Sequence, residues 1–400
     1  MKKLRVGILF GGRSGEHEVS LLSAASVLQA IDRNKYDVQP IGISKDGRWL
    51  TANDAAHLLP PHAGGEAQHL RAGDPEATAG AALLEHGREV TLPHVPAHSD
   101  ASENSLATLR ASAEKSLGVD VIFPVLHGTF GEDGTVQGLF ELADIAYVGS
   151  GVLGSAAGMD KDVMKRLFSA ARLPIPRHVT VLRSEWQQGP RRVQQRVERS
   201  LRYPLFVKPA NLGSSVGISK VHGAGELKAA MDLAASFDRK IVVEQGIGGK
   251  RGKARELEVA VLGNDAPEAS VVGEIVPCKE FYDYEAKYLS EGSEAVVPAK
   301  ITRAESKLVR EMAIAAFKAC DCAGMARVDF LMVPGGPKDD RPRKIYLNEV
   351  NTLPGFTSSS MFPKLWQASG LTYPQLIDRL IQLAQERHKE KQASRYALQP

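Results

Sequence analysis

The chain of 400 residues carries 50 Lys and Arg against 47 Asp and Glu, is 43% hydrophobic and contains 37 glycines. These values exclude a disordered or fibrous chain, and at about 150 residues per unit the length allows two to three domains that need no disulfide or metal to fold. A net charge of +3 supplies no general field for nucleic acid or an anionic membrane, so any partner must be recognised at a local site. Cys278, Cys320 and Cys322 are too few for a disulfide framework and lack the spacing of a zinc site. Together with the lack of any apolar run of about 20 residues, this predicts a cytoplasmic protein.

In chain order, Val6 to Phe10 reads as a first strand, ended by Gly11-Gly12-Arg13 after too few residues for a signal peptide. A helical stripe from Val19 to Leu28 and a second strand near Val38 to Ile43 complete a βαβ opening. Residues 51–116, rich in Ala, Gly, Pro and His, read as a partly ordered surface insertion. Val119 to Leu126 is a buried parallel strand apart from Asp120, followed by a glycine-rich loop and a helix from Gly134 to Leu142. Asp160 is placed to cap a helix with the apolar stripe Val163, Met164, Leu167, Phe168 and Ala171, which Pro174 and Pro176 stop. Strands at Leu205 to Lys208, Gly217 to Val221 and Lys240 to Glu244 come next, then a glycine-marked boundary at 245–255. A helix from Thr302 to Cys320, a hairpin and a helix from Pro374 to about Glu390 close the chain, with Lys391 to Pro400 expected to be disordered. Three α/β domains are expected, 1–149, 150–246 and 247–400.

The sharpest chemistry lies in the hairpin. Pairing Val333 with Lys344 sets Asp329 opposite Asn348, so that Asp329, Glu349 and Asn351 converge, with Arg327 further along the same face. Strict alternation puts Ile345, Leu347, Glu349 and Asn351 on one face. Oxygen donors without His or Cys suit Mg²⁺, which takes carboxylates together with substrate phosphates. A second motif runs from Phe206 through Lys208 to Ser219: small residues after a lysine suit a loop covering phosphates, although a plain turn has the same composition. It is not a Walker loop, because the lysine comes first and a strand follows. His127 ends a buried strand, where ligands bind in α/β sheets.

Two competing readings are weaker. Gly149 to Gly154 matches the dinucleotide fingerprint, yet Ser169 to Pro176 lacks the acidic residue that would bind the ribose. The arginines at 191, 192, 196, 199 and 202 have no interleaved aromatics and fit a solvated helix face better than a nucleic-acid module.

With these motifs in place, the chain resembles the D-alanine:D-alanine ligases of the ATP-grasp superfamily. The resemblance runs through Phe10 to Ser20, His127 to Gly138, Gly149 to Lys161, the Lys208 flap, Glu280 to Tyr288 and Asn348 to Ser360. It implies a three-domain ATP-grasp fold with a Rossmann-like N-terminal domain and ligation of two D-alanines through an acyl phosphate, for peptidoglycan synthesis. The runner-up is another ATP-grasp carboxylate-amine ligase, or a D-alanine:D-lactate ligase. By matching position, Glu16 would hold the first D-alanine's ammonium, with Ser214 and Tyr288 linking it to a closing loop at about 277–298. Lys161, Lys208 and Lys287 would meet ATP phosphates; Glu244, Gln245 and Ile247 the adenine; and Glu256 the ribose. Asp329, Glu349 and Asn351 would hold two Mg²⁺ or Mn²⁺ ions, and a monovalent cation is an open addition. Arg327 and the Gly355 amide would face the oxyanion, and His127, Ser359 and Ser360 the substrate carboxylates. D-alanine and ATP are the expected partners, with no nucleic acid or membrane, and a homodimer is expected.

Overall fold

The computed structural model describes residues 3–51, 55, 58–59, 118–213, 215–248, 252–276, 294–334 and 343–395. The surface insertion expected at 51–116 lies almost wholly outside them, as do Cys278 and the last five residues.

The fold is α/β, built on three sheets. The first has the order β3-β2-β1-β4-β5, from β1 (Leu4–Gly11), β2 (Tyr36–Ile43), β3 (Trp49–Thr51), β4 (Val121–Pro124) and β5 (Ala146–Tyr147). All its pairs are parallel except β2 with β3. The helices α1 (His17–Ala30) and α2 (Thr135–Leu142) follow β1 and β4, so their leading loops sit at the carboxyl ends of adjacent parallel strands, the edge where such sheets bind ligands. Ser20 ties these loops: its hydroxyl accepts from the Gly11 amide at 2.8 Å and donates to the Val125 carbonyl at 2.6 Å.

Two helices, α3 (Val152–Met159) and α4 (Lys161–Ala170), lead out of this sheet. Asp160 caps α4 as expected, accepting from the amides of Asp162 and Val163. The stripe differs from the expected one. Val163 and Ala171 are exposed, while Lys161, Met164, Lys165 and Phe168 face inward. Met164 and Phe168 pack into the core of the third sheet, and the two lysines on the same face reach polar partners.

The second sheet is antiparallel, in the order β6-β9-β7-β8: β6 (His178–Leu182), β7 (Leu205–Pro209), β8 (Ser219–Val221) and β9 (Lys240–Gln245). It is backed by α5 (Arg183–Gln188), α6 (Pro190–Ser200) and α7 (Ala224–Phe237). The α6 arginines are solvent-exposed, as the sequence predicts.

The third sheet has the order β12-β11-β10-β13-β14, also antiparallel: β10 (Arg255–Gly263), β11 (Glu268–Val276), β12 (Glu294–Val296), β13 (Gly324–Met332) and β14 (Ile345–Asn351). Helix α8 (Arg303–Ala319) covers one face; α9 (Met361–Ala368) and α10 (Tyr373–Gln392) follow β14. Thr302 and Glu305 form a reciprocal capping box at the start of α8. The last helix runs into the segment expected to be disordered, because Leu376, Ile377, Leu380, Ile381 and Leu383 are buried and hold it down. They share one core with Val6, Ile8 and Phe10 of β1. Lys35 and Tyr36 contact Asp378, and Arg387 stacks 4.3 Å over the Tyr147 ring while donating to the carbonyls of Tyr147 and Gly149. Among the described residues no helix is long and apolar enough to cross a membrane.

Candidate active site

One end of the site is built from the two loops of the parallel sheet. Glu16, just before α1, is buried, and its carboxylate fits there because two neighbours lack side chains. A Cβ on Gly128 would come within 2.7 Å of Glu16 Oε2, and one on Gly213 within 3.3 Å. Gly213 belongs to the stretch after Lys208, so that loop lies over Glu16. Glu132, which sequence reasoning passed over, is beside it and accepts from the Gly128 amide at 2.9 Å. Burial first, and then the charge of Glu16, hold the Glu132 carboxyl well above the usual carboxylate range.

His127 is enclosed. Its Nδ1 lies 3.1 Å from the Leu353 carbonyl, which only accepts, so Nδ1 carries the proton and Nε2 accepts from the Ser23 hydroxyl at 3.0 Å. Burial pushes its pKa down to about 4 despite that carbonyl, leaving a neutral ring at physiological pH. Both ring nitrogens are thus engaged by the protein.

The opposite end is rich in lysine. Lys161 opens α4, and its ammonium donates to the Leu212 carbonyl at 2.6 Å, joining the helix to the loop after Lys208. Lys208 on β7 lies 2.9 Å from Glu244 Oε2 on β9, its register neighbour but one. The other oxygen of Glu244 is 2.9 Å from Lys165, whose side chain is 1% exposed. Burial alone would raise the Glu244 pKa, but the two ammonium groups win and bring it down to about 2. Burial opposes the charge on Lys208 too, yet Glu244, Glu349 and Glu256 together raise its pKa. Glu256 on β10 therefore acts on the same lysine from the third sheet. The Gln245 side chain accepts from the Arg202 amide at 3.1 Å, and Ile247 is half-buried just beyond β9. Lys287, Ser214 and Tyr288 lie outside the described residues.

Between these ends the β13–β14 hairpin delivers the acidic residues. Val333 donates to the Lys344 carbonyl as the expected register requires, but a bulge between Asp329 and Phe330 puts Asp329 opposite Glu349 rather than Asn348. The extra residue breaks the strict alternation: Ile345, Leu347 and Val350 face the core, while Glu349 and Asn351 face the site. Asn351 donates to Asp329 at 3.0 Å, and Arg327 binds both oxygens of Asp329 at 2.7 Å. Glu258 on β10 closes on Arg327 at 3.1 Å. Burial disfavours the guanidinium charge, but Asp329 and then Glu258 outweigh it and raise the Arg327 pKa. Asp329, Glu349 and Asn351 bring two carboxylates and an amide together without His or Cys, donor types that fit a hard divalent cation.

Gly355 follows this hairpin, within reach of Ser360. Ser360 immediately precedes α9, its hydroxyl 2.7 Å from that of Thr357, and Ser359 is exposed beside it. Glu132, Lys161, Gly213, Glu349 and Asn351 line a cleft of about 60 Å³.

The similarity to known proteins follows the whole of this arrangement. Residues 5–150 match the family model for the D-ala D-ala ligase N-terminus, and residues 167–382 match that for the D-ala D-ala ligase C-terminus. The chain belongs to the D-alanine–D-alanine ligase family. The ligase is 48% identical over 397 residues to a D-alanine–D-alanine ligase of Geobacillus thermodenitrificans, covering 99% of this chain and 100% of that one. It is 47% identical to that of Chloroherpeton thalassium, covering 98% and 99%. Among solved structures, the D-alanine-D-alanine ligase from Coxiella burnetii has a TM-score of 0.76 at 34% identity, covering 98% of this chain and 97% of that one. The VanG D-Ala:D-Ser ligase from Enterococcus faecalis has a TM-score of 0.74 at 36% identity, covering 96% and 100%. The family of ATP-dependent ligases implies use of ATP and a divalent metal.

Proposed function

We propose that the ligase joins two D-alanine molecules into D-alanyl-D-alanine for peptidoglycan synthesis, using ATP to pass through an acyl phosphate. The observation that carries this reading is the cleft on which Lys161, Glu349, Asn351 and Gly213 meet beside the buried Glu16. A carboxylate does not acylate an amine unaided. The first D-alanine's carboxylate oxygen therefore attacks the γ-phosphorus, ADP departs, and the second D-alanine's amine displaces phosphate from the acyl carbon with loss of a proton.

Glu16 is suited to hold the first ammonium, with Ser214 and Tyr288 completing the link to the closing loop. Lys161, Lys208 and Lys287 neutralise the phosphates; Glu244, Gln245, Ile247 and Glu256 frame the nucleoside. Asp329, Glu349 and Asn351 would hold two Mg²⁺ or Mn²⁺ ions, which neutralise charge on the transferring phosphoryl group when bound. Arg327, anchored by Asp329 and Glu258, and the Gly355 amide provide donors for the oxyanion. His127, being neutral, braces the strand end beneath the first substrate, and Ser359 and Ser360 offer hydroxyls to the second carboxylate. We assign three domains, 1–149, 150–246 and 247–400, a homodimer, a cytoplasmic location and an open dependence on a monovalent cation.

Phosphate release is measured with ATP, Mg²⁺ and each candidate amino acid. D-alanine alone should support it, and chelation of the metal should abolish it. The likeness to a D-Ala:D-Ser ligase gives a second reading its footing. D-alanine is therefore offered with an excess of D-serine or D-lactate; a dominant mixed product would reassign the second-substrate site.

A further inference from the structure

We propose that Lys165 is a positioning residue of the nucleotide site, locking the phosphate-binding Lys208 and the strand that carries Glu349 into one fixed relation. It stands one helical turn after Lys161 on α4, so both lysines leave the same face of the helix. From there its ammonium lies 2.9 Å from Glu244 Oε1 and 3.4 Å from the Asn348 carbonyl. Glu244 in turn holds Lys208 with its other oxygen at 2.9 Å. Asn348 is the extra residue of the β14 bulge, the irregularity that turns Glu349 toward the cleft. One buried cation therefore joins β9 to β14, strands from two different sheets.

A lysine with a side chain 1% exposed is costly unless its charge is used. Two ammonium groups share one carboxylate in the Lys165–Glu244–Lys208 triad, so its geometry is fixed by charge on both sides of Glu244. The other charged or titratable groups acting on the triad are Glu349, Glu256 and His178, which pairs with Glu244 across β6 and β9. Burial and then the Lys165 charge hold the His178 pKa low, so the ring adds no further cation. Burial also depresses the pKa of Lys165 itself, and Glu244 opposes that loss.

This inference rests on the reading of Lys208 and Glu244 as nucleotide contacts, and the test separates the two. ADP binding with Mg²⁺ is measured by calorimetry for the full-length wild type, Lys165→Met, Lys208→Met and the double variant, alongside steady-state kinetics. Because Glu244 keeps Lys208, Lys165→Met should still fold. It should weaken ADP binding and raise the KM for ATP by about tenfold, with the KM for D-alanine changed less than about threefold. The double variant should lose less than the product of the single losses, since Lys165 acts through Lys208. Wild-type ADP affinity in Lys165→Met, with Lys208→Met weakened, would overturn the positioning role. Wild-type affinity in Lys208→Met would overturn the nucleotide reading and this inference with it. Should Lys165→Met fail to fold, Lys165→Gln is judged by the same two affinities.

Discussion

The two ends of the cleft solve opposite electrostatic problems. At the lysine-rich end, proposed to take the nucleotide, buried charges are paired: Glu244 lies between two lysines, and Arg327 between Asp329 and Glu258. At the parallel-sheet end, burial and then the Glu16 charge hold the Glu132 carboxyl up, and His127 is held neutral. The first arrangement is complete within the protein, its cations held by carboxylates from neighbouring strands. The second is set to gain from an incoming ammonium, which would favour the charged form of a carboxyl that burial and Glu16 now hold above its usual range.

The largest effect that would test this contrast is at Glu349. Glu349→Gln should lower kcat by about a thousandfold or more while leaving the thermal midpoint near wild type, because it removes a carboxylate proposed to hold metal without opening the core. Near-normal turnover at saturating Mg²⁺ would remove the hairpin from the chemistry. The next effect is on stability. The unfolded His127 titrates at 6.5 and the folded ring at about 4, so only the unfolded chain binds a proton between those values. Its contribution is intact above pH 6.5 and falls as pH drops toward 4, by about 3 kcal/mol in all. Denaturant unfolding from pH 7 to pH 4 should show this slope, and His127→Gln should flatten it. Third, Glu16→Gln should raise the KM for D-alanine on the order of a hundredfold and that for ATP much less. It should also let Glu132 titrate closer to an ordinary carboxylate, visible in the pH dependence of unfolding. Smallest is Gly213→Ala. Its new Cβ would press on Glu16 Oε2 at 3.3 Å, a clash the loop can partly yield to, so a few-fold rise in the D-alanine KM is expected.

Much of this contrast was legible in the residues. The hairpin register, the Asp160 cap and the strand carrying Lys208 follow from local rules, and the resemblance supplied the families of roles. Three features were hidden for physical reasons. The bulge at Asn348 costs one residue and leaves no compositional mark, so alternation alone assigned Leu347 and Glu349 to one face. Lys165 was lost because a lysine in an amphipathic helix ordinarily points to water, and the inward stripe was filled with Val163 and Ala171 instead. The spacing of Lys161 and Lys165 was the available signal. Glu132 sat in a quoted motif with nothing to show that the loop would bring it against Glu16, a contact that depends on two chain segments more than 100 residues apart.

The shared core of β1 and α10 bears on the order in which the protein can be made. Val6, Ile8 and Phe10 are synthesised long before Leu376, Ile377, Leu380 and Ile381, which complete the same core. At about 5–20 residues per second, tens of seconds separate the two during synthesis. Through that interval this face of the parallel sheet has α1 but not α10 against it, so its core is incomplete until α10 has been made. Arg387 then clasps Tyr147 and Gly149 as one of the last contacts to form. A nascent chain stalled before Tyr373 should accordingly be cut by protease within its first 150 residues, and full-length protein should not.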